Sequence, residues 1–165
     1  MTVWCICTIL VFMMKNTAST PQADASLMED VVAHCLLTRT RTISRVITSI
    51  YDSELRPHGL TSSQFSLLVR IARMKGASRA DLARASHQER STSTRNLQVV
   101  LNEGWAEEVT PDSGRSRPIL ISPAGRALLH AAGPAWRAAQ AKARRLLGEE
   151  GAASLVSVAD SLPPE

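Results

Sequence analysis

The sequence predicts a mainly α-helical fold with one small β-hairpin. Aromatic residues make up only 4% of the 165 residues, whereas Ala, Leu, Arg and Ser are abundant, and this mix favours helices. Apolar residues recur at helical spacing along most of the chain after residue 27. The stretch 105–121 changes to short strand-like segments separated by turn residues. The length suits one domain, or a small domain with a dimerisation appendage.

Residues 1–26 are expected to lie outside this fold. They contain an apolar run at 3–14, which is shorter than the roughly 20 residues of a membrane span. No basic residue precedes the run, as one would in a secretory signal. The segment is interpreted as a disordered tail or as the result of a start site assigned too early, with translation from Met13 or Met14; membrane anchoring is the third alternative.

Two helices are predicted from the start of the fold. The apolar spacing indicates one long helix over 27–55, closed by Pro57 and Gly59. A second helix opens at Thr61, an N-cap residue with Gln64 three positions on, which is the pattern of a capping box.

The next segment has the outline of a helix-turn-helix. Ser78 can cap the short helix RADLARAS, and a polar turn follows around residues 87–88. A further helix is predicted over 89–103, ended by Gly104. Two short helices joined by a turn of three or four residues match that motif.

A β-hairpin is predicted directly after the helix-turn-helix. One strand begins at Trp105 and breaks at Pro111, and a second covers 118–121. The segment 112–117 between them is rich in turn residues and carries two arginines.

The C-terminal part is predicted to be helical again. Ser122 caps and Pro123 opens a long helix, and Gly133–Pro134 is expected to kink it. A last helix is predicted over 149–162.

A hairpin placed after a helix-turn-helix is the winged-helix arrangement, which binds duplex DNA. A helix about 10 Å across fits the ~12 Å major groove. Leu97 and Val100 mark the inward face of the helix 89–103, so the polar side chains opposite them are candidates for DNA contact. These are Ser91, Thr92, Thr94, Arg95 and Gln98.

The arginines of the hairpin tip are the complementary candidates. Arg115 and Arg117 can reach the adjacent minor groove, where negative potential is concentrated in narrow stretches. The net charge is +4, but acidic and basic residues nearly balance between 79 and 126. The basic footprint is therefore expected to be local.

The same residues resemble the MarR family of winged-helix regulators. The resemblance covers about 36–147 and is carried by RPHGLTSSQFSLL, RADLARAS, RSTSTRNLQVVLNEGW and PDSGRSRPILISPAGRALL. It implies a homodimer that reads a pseudo-palindromic operator in double-stranded DNA, and commonly a repressor released by a small phenolic or other lipophilic effector. It also implies dimerisation helices at 27–59 and 123–165 around a DNA-binding domain at 60–122. A cytoplasmic location is expected from the cysteines, which number three and include no CxxC pair or Cys/His cluster.

The alternative function is a winged-helix module that binds a protein partner and has weak or no DNA affinity. It is supported by Ser86, Gln88 and Ser93, where the family usually has apolar residues, and by the balanced charge of the central region. An enzyme is not expected, since there is no carboxylate pair, nucleophile–base set or phosphate-binding glycine loop.

Cys35 is a candidate redox sensor. Some peroxide-sensing relatives carry a reactive cysteine in this region, and the alternative is a buried structural thiol. The four histidines lack the spacing of metal ligands, so neither a metal nor another cofactor is expected.

Overall fold

The computed structural model describes residues 21–85, 90–110 and 117–162. Its elements are α1 (Pro21–His34), α2 (Leu36–Leu55), a 3-10 turn (Arg56–His58), α3 (Ser62–Met74), α4 (Arg79–Arg84), α5 (Arg90–Asn102), β1 (Ala106–Glu108), β2 (Ile119–Ile121) and α6 (Pro123–Ser161). The predicted helical fold with a hairpin is confirmed. The chain forms two compact units, and the division between them falls inside α2, after Ser44.

The prediction of a single helix over 27–55 is wrong, because the structure has two helices there. The first begins at Pro21, inside the segment 1–26, and the chain leaves helical structure at Cys35. The guanidinium of Arg39 donates to the carbonyl oxygens of Val32 at 2.9 Å and Ala33 at 3.2 Å. An unbroken helix would bond those carbonyls to backbone N–H groups four residues on, so this side chain satisfies the end of α1.

The part of the N-terminal unit that the structure describes has no buried interior. Of the side chains described between residues 24 and 44, none is buried, and Cys35 is the one that is half-buried. Large apolar side chains are exposed there: Leu27, Met28, Val31, Val32, Leu36, Leu37 and Ile43. An apolar surface of this kind is typical of a segment that packs against another chain.

The second unit is built around α3. This helix begins at Thr61, whose hydroxyl accepts from the N–H of Gln64 at 3.2 Å while its own N–H donates to the Gln64 side chain at 2.9 Å. The predicted capping box is therefore confirmed. Helix α3 contacts α4, α5, β2 and α6. The largest fully buried side chains of the unit come from four elements, α2, α3, α5 and β2: Leu55, Leu68, Ile71, Val100 and Ile119.

The helix-turn-helix is formed by α4 and α5, with residues 86–89 between them outside the described part. Ser78 caps α4 as predicted. At the other end of the motif, Gly104 has φ +70°, and the N–H of Trp105 bonds to the carbonyl of Val100 at 3.0 Å. This Schellman arrangement ends α5 where the sequence predicts and directs the chain straight into β1.

The two strands pair antiparallel, with Ala106 opposite Ile121 and Glu108 opposite Ile119. Ala77 forms an isolated antiparallel β-bridge to β2, in which its carbonyl accepts from the N–H of Ile119 at 2.9 Å. The predicted hairpin is thus confirmed, and it is attached to the residue that precedes the cap of α4. The tip, 111–116, lies outside the described residues.

The kink predicted at Gly133–Pro134 is wrong. Pro134 keeps helical dihedral angles, and the non-helical residue within α6 is Gly148, with φ 71° and ψ 160°. A proline ring in a helix removes one backbone hydrogen bond, whereas a glycine at positive φ turns the chain out of the helical conformation. The break coincides with the predicted boundary before the last helix. Neither α6 nor any other helix in the described ranges is long and apolar enough to cross a membrane.

The backbone packs so closely at Gly125 that a side chain there should destabilise the fold. A Cβ at this position would overlap the carbonyl oxygen of Trp105, which is backbone and cannot move aside. We expect Gly125→Ala to lower the free energy of unfolding by about 3 kcal/mol. The control is Gly133→Ala in the same helix, where a Cβ meets only the end of Arg137 at 3.6 Å, and alanine should stabilise by about 1 kcal/mol. Urea unfolding followed by circular dichroism measures both, and equal midpoints for the two variants would contradict the prediction.

The hydrogen bonds of Asp81 should make the stability of the fold depend on pH. Hydrogen bonds from the Ser78 hydroxyl and N–H, and then the charge of Arg84, hold the pKa of Asp81 below its ordinary value. Because the folded pKa is the lower one, this stabilisation is complete above the unfolded pKa of about 3.9 and is lost as pH falls through the folded value. Asp81→Asn should therefore be less stable than wild type at neutral pH, and the gap should close in acid. Asp160→Asn, near the end of α6, is the control for the loss of one negative charge, since Asp160 forms no ion pair among the described residues.

Candidate nucleic-acid interface

Helix α5 presents a polar face to solvent. Leu97 and Val100 are buried on its inner side, as predicted. Four of the predicted contact residues are exposed on the outer side: Thr92, Thr94, Arg95 and Gln98. Ser91 lies in the first turn of α5, but its side chain is outside the described part. Since the outer side is free of intramolecular packing, it is available to a partner.

The exposed face is chemically suited to the edges of bases and to phosphates. Arg95 is exposed and makes no ion pair within the described part of the chain, and a guanidinium of this kind can bind an acceptor pair such as guanine O6 and N7. The Gln98 side-chain amide donates to Asn102 at 2.8 Å, one turn further along α5. This hydrogen bond fixes the amide orientation and leaves its carbonyl oxygen as an acceptor.

The hairpin places a second arginine beside this face. Arg117 is exposed at the base of the wing, immediately before β2. The N–H of Val109 bonds to the carbonyl of Pro118 at 2.9 Å, so the two strands remain joined up to the start of the tip. Arg115, the other predicted wing residue, lies in 111–116 and is outside the described residues.

An ion pair that the sequence did not predict joins α4 to the wing. The Nε of Arg79 lies 2.6 Å from Oε1 of Glu108, the last residue of β1. The hydrogen bond from Arg79, its charge and the charge of Arg117 together lower the pKa of Glu108. The partners are 29 residues apart in the chain, and no local sequence pattern predicts their contact.

The Arg79–Glu108 pair lies in a groove between α5 and the hairpin. The groove has a volume of about 460 Å³. Its wall includes Gln98 from the outer face of α5, and Glu107, the exposed neighbour of Glu108. The ion pair is therefore close to the proposed contact residues.

A second cavity lies within the C-terminal unit, between α2, α3 and α6. Its volume is about 510 Å³, and apolar and aromatic side chains from all three helices line it: Tyr51, Phe65, Val69 and Trp136. Trp136 thus forms part of the cavity wall. The hydroxyl of Tyr51 donates to the side chain of Gln140 on α6, and burial raises its pKa.

Two arginines line this cavity, Arg70 and the exposed Arg73, and Arg70 is the one whose side chain is partly buried. It is half-buried, and burial lowers its pKa. It makes no ion pair within the described part of the chain. A partly desolvated guanidinium among aromatic side chains is suited to an anion that carries an apolar or aromatic body.

Cys35 lies between α1 and α2 and is half-buried. A hydrogen bond from the Thr38 hydroxyl, followed by one from the Thr38 N–H, lowers its pKa. No group of three or more His, Cys, Asp or Glu residues able to hold a metal occurs in the residues that the structure describes.

Comparison with known proteins places this geometry in a family. No protein-family model matches the sequence, and no curated protein matches it. The transcriptional regulator MosR of Mycobacterium tuberculosis, solved alone and in complex with DNA, is 33% identical, with a TM-score of 0.63 for the structure without DNA. That match covers 79% of this chain and 98% of MosR.

Two further structures share the fold. The M. tuberculosis MarR family protein Rv2887, in complex with p-aminosalicylic acid, is 25% identical with a TM-score of 0.60, covering 76% of this chain and 95% of that one. A mutant MarR from E. coli, complexed with operator DNA, is 18% identical with a TM-score of 0.69, covering 81% and 98%. Given the helix-turn-helix, the wing and the flanking helices, together with the identity to MosR over nearly its whole length, the chain belongs to the MarR family of winged helix-turn-helix transcriptional regulators.

Proposed function

We propose that the chain is a dimeric, sequence-specific DNA-binding regulator in which α5 enters the major groove and the wing, 111–118, contacts the minor groove. The observation that carries this proposal is the exposed polar face of α5 beside a hairpin fixed to the same motif. MosR in complex with DNA and MarR with operator DNA support it. The alternative, a protein-binding module, lacks a comparable observation.

The contact residues divide by chemistry. Arg95 is assigned to base edges, because its free guanidinium projects from the outer face of α5. The hydroxyls of Ser91, Thr92 and Thr94 and the amide of Gln98 are assigned to phosphates or base edges. Arg117, with Arg115 in the tip, is assigned to the minor groove and the backbone.

The dimer is assigned to the two ends of the chain, which leave apolar side chains uncovered. On α6 beyond Gly148, the exposed large apolar residues are Leu155, Val156, Val158 and Leu162. Similar residues line α1 and the start of α2. Two copies joined through these helices would present two winged motifs related by a two-fold axis, which suits a pseudo-palindromic operator.

The effector site is assigned to the cavity at Arg70. Its aromatic wall and half-buried guanidinium fit an aromatic carboxylate, and Rv2887 has been solved with such acids. The cavity is between α3, which supports the helix-turn-helix, and α6, so a bound acid can alter their packing. The chain is accordingly proposed as a ligand-responsive repressor without catalytic activity.

A redox response through Cys35 is a separate hypothesis. The lowered pKa and partial exposure of the thiol favour the reactive thiolate. The redox hypothesis predicts that peroxide releases the wild-type protein from DNA and leaves the Cys35→Ser protein bound.

DNA binding is tested with a duplex from the region upstream of the chain's own gene and a random duplex of equal length. Arg95→Ala should lose about 1–3 kcal/mol on the upstream duplex and much less on the random one, because it removes base contacts. Arg117→Ala should weaken both about equally and reduce the log–log salt slope by about 0.9. Fluorescence anisotropy at several salt concentrations measures both quantities.

Arg137→Ala, which removes an arginine from α6, is the matched control and should leave binding unchanged. A wild-type protein that binds neither duplex at low salt, or an Arg95→Ala protein with full affinity and preference, contradicts the proposal.

The effector assignment is tested with salicylate. Its binding should quench Trp136 fluorescence and weaken the complex with the upstream duplex. Arg70→Met keeps the length of the side chain and removes its charge, so salicylate affinity should fall about tenfold or more, as expected for a lost charged hydrogen bond. Arg126→Met, outside this cavity, should retain wild-type affinity. Equal affinities in the two variants would refute the assignment.

A further inference from the structure

The charge of Arg79 is already satisfied within the protein. Its Nε lies 2.6 Å from the Glu108 carboxylate, and the pair is at the surface, with side-chain exposures of 46% and 26%. It lines the groove that also contains Gln98, so it is next to the face of α5 assigned to DNA. Within the described part of the chain, Arg95 and Arg117 near the same face have no ion pair.

An arginine so close to a DNA-binding face would ordinarily contact phosphate. Such a contact carries no sequence information and raises affinity for any duplex. An arginine paired with a carboxylate contributes no net positive charge, and the carboxylate itself repels phosphate. The pair therefore removes one cation from the interface while Arg95 and Arg117 keep theirs.

We propose, on the basis of the proposed DNA-binding function, that Glu108 is a positioning residue that holds Arg79 away from phosphate and so limits sequence-independent binding. Three constraints hold the carboxylate in place. Glu108 pairs with Ile119 across the hairpin, Ile119 bonds to Ala77, and Ala77 is two residues before Arg79. The backbone thus fixes both partners at the same edge of the groove.

Glu107 provides a matched comparison. It precedes Glu108 on β1 and lines the same groove, but it is exposed and forms no ion pair in the part of the chain that the structure describes. Replacing either glutamate by glutamine changes the net charge equally. A difference between the two variants therefore measures the release of Arg79 and not the change in overall charge.

The experiment measures the affinity of four variants and the wild type for the upstream and random duplexes as a function of salt. Glu108→Gln should bind both duplexes more tightly at low salt and steepen the log–log slope by about 0.9, the value for one added phosphate contact. Its affinity should then fall about 3.5-fold more than that of the wild type between about 50 and 200 mM salt. Glu107→Gln should keep the wild-type slope.

Arg79 is tested directly in the same series. Arg79→Gln should leave the slope unchanged, because the paired arginine makes no phosphate contact. Arg79→Gln combined with Glu108→Gln should return the steepened slope to the wild-type value. Circular dichroism of each variant verifies that the fold is retained.

Two results would overturn the inference: equal slopes for Glu108→Gln and Glu107→Gln, or a slope about 0.9 shallower in Arg79→Gln alone. Either can occur while the wild type still binds the upstream duplex, and then the proposed function stands. A wild type that binds no duplex contradicts the proposed function and this inference together.

Discussion

The orientation of the paired strands β1 and β2 depends on the buried side chain of Ser122. Its hydroxyl donates to the carbonyl of Gly104 at 2.6 Å and accepts from the N–H of Gly125 at 3.0 Å, while its own N–H donates to the carbonyl of Trp105 at 3.1 Å. One residue therefore joins the end of α5, the start of β1 and the start of α6. Because the hairpin leaves and returns at this junction, α5 and the paired strands β1 and β2 keep one mutual geometry. The close approach of Gly125 to Trp105 is part of the same constraint.

Ion pairs within the protein neutralise part of the charge around the helix-turn-helix. Asp81 is bonded to Ser78 and Arg84, and Glu108 is bonded to Arg79, so two of the arginines in this region are neutralised internally. The positive charge left on the exposed face comes from Arg95 and Arg117 among the described residues. This explains how a region in which acidic and basic residues nearly balance can still present a basic surface to a polyanion. The basic surface is therefore small, because Arg79 and Arg84 are paired with carboxylates of the same region.

Local signals predicted most of the fold, and contacts between distant residues account for what they missed. Thr61, Ser78, Gly104 and Ser122 each act within a few residues, so their roles as caps and terminators could be read from sequence spacing alone. The break at Cys35 could not, and the Arg39 side chain that bonds to the end of α1 comes from seven residues further along the chain. At Pro134 the local signal was misleading, since the helix tolerates the ring and breaks at Gly148 instead.

The candidate site shows the same division. The outward residues of α5 follow from helical periodicity once Leu97 and Val100 are taken as the inner face. The Arg79–Glu108 pair and the Tyr51–Gln140 hydrogen bond join residues 29 and 89 positions apart, and no local pattern specifies such partners.

The uncovered N-terminal unit has a consequence for how the regulator responds to its own abundance. A segment that buries none of its described side chains has no interior to offset the entropy lost on ordering, so in the proposed homodimer its order comes from the second copy. By mass action, when most chains are single, doubling the amount of protein increases the amount of dimer about fourfold. Operator occupancy would then rise with a threshold in gene dosage even without any effector, and dilution by cell growth would be enough to lower it.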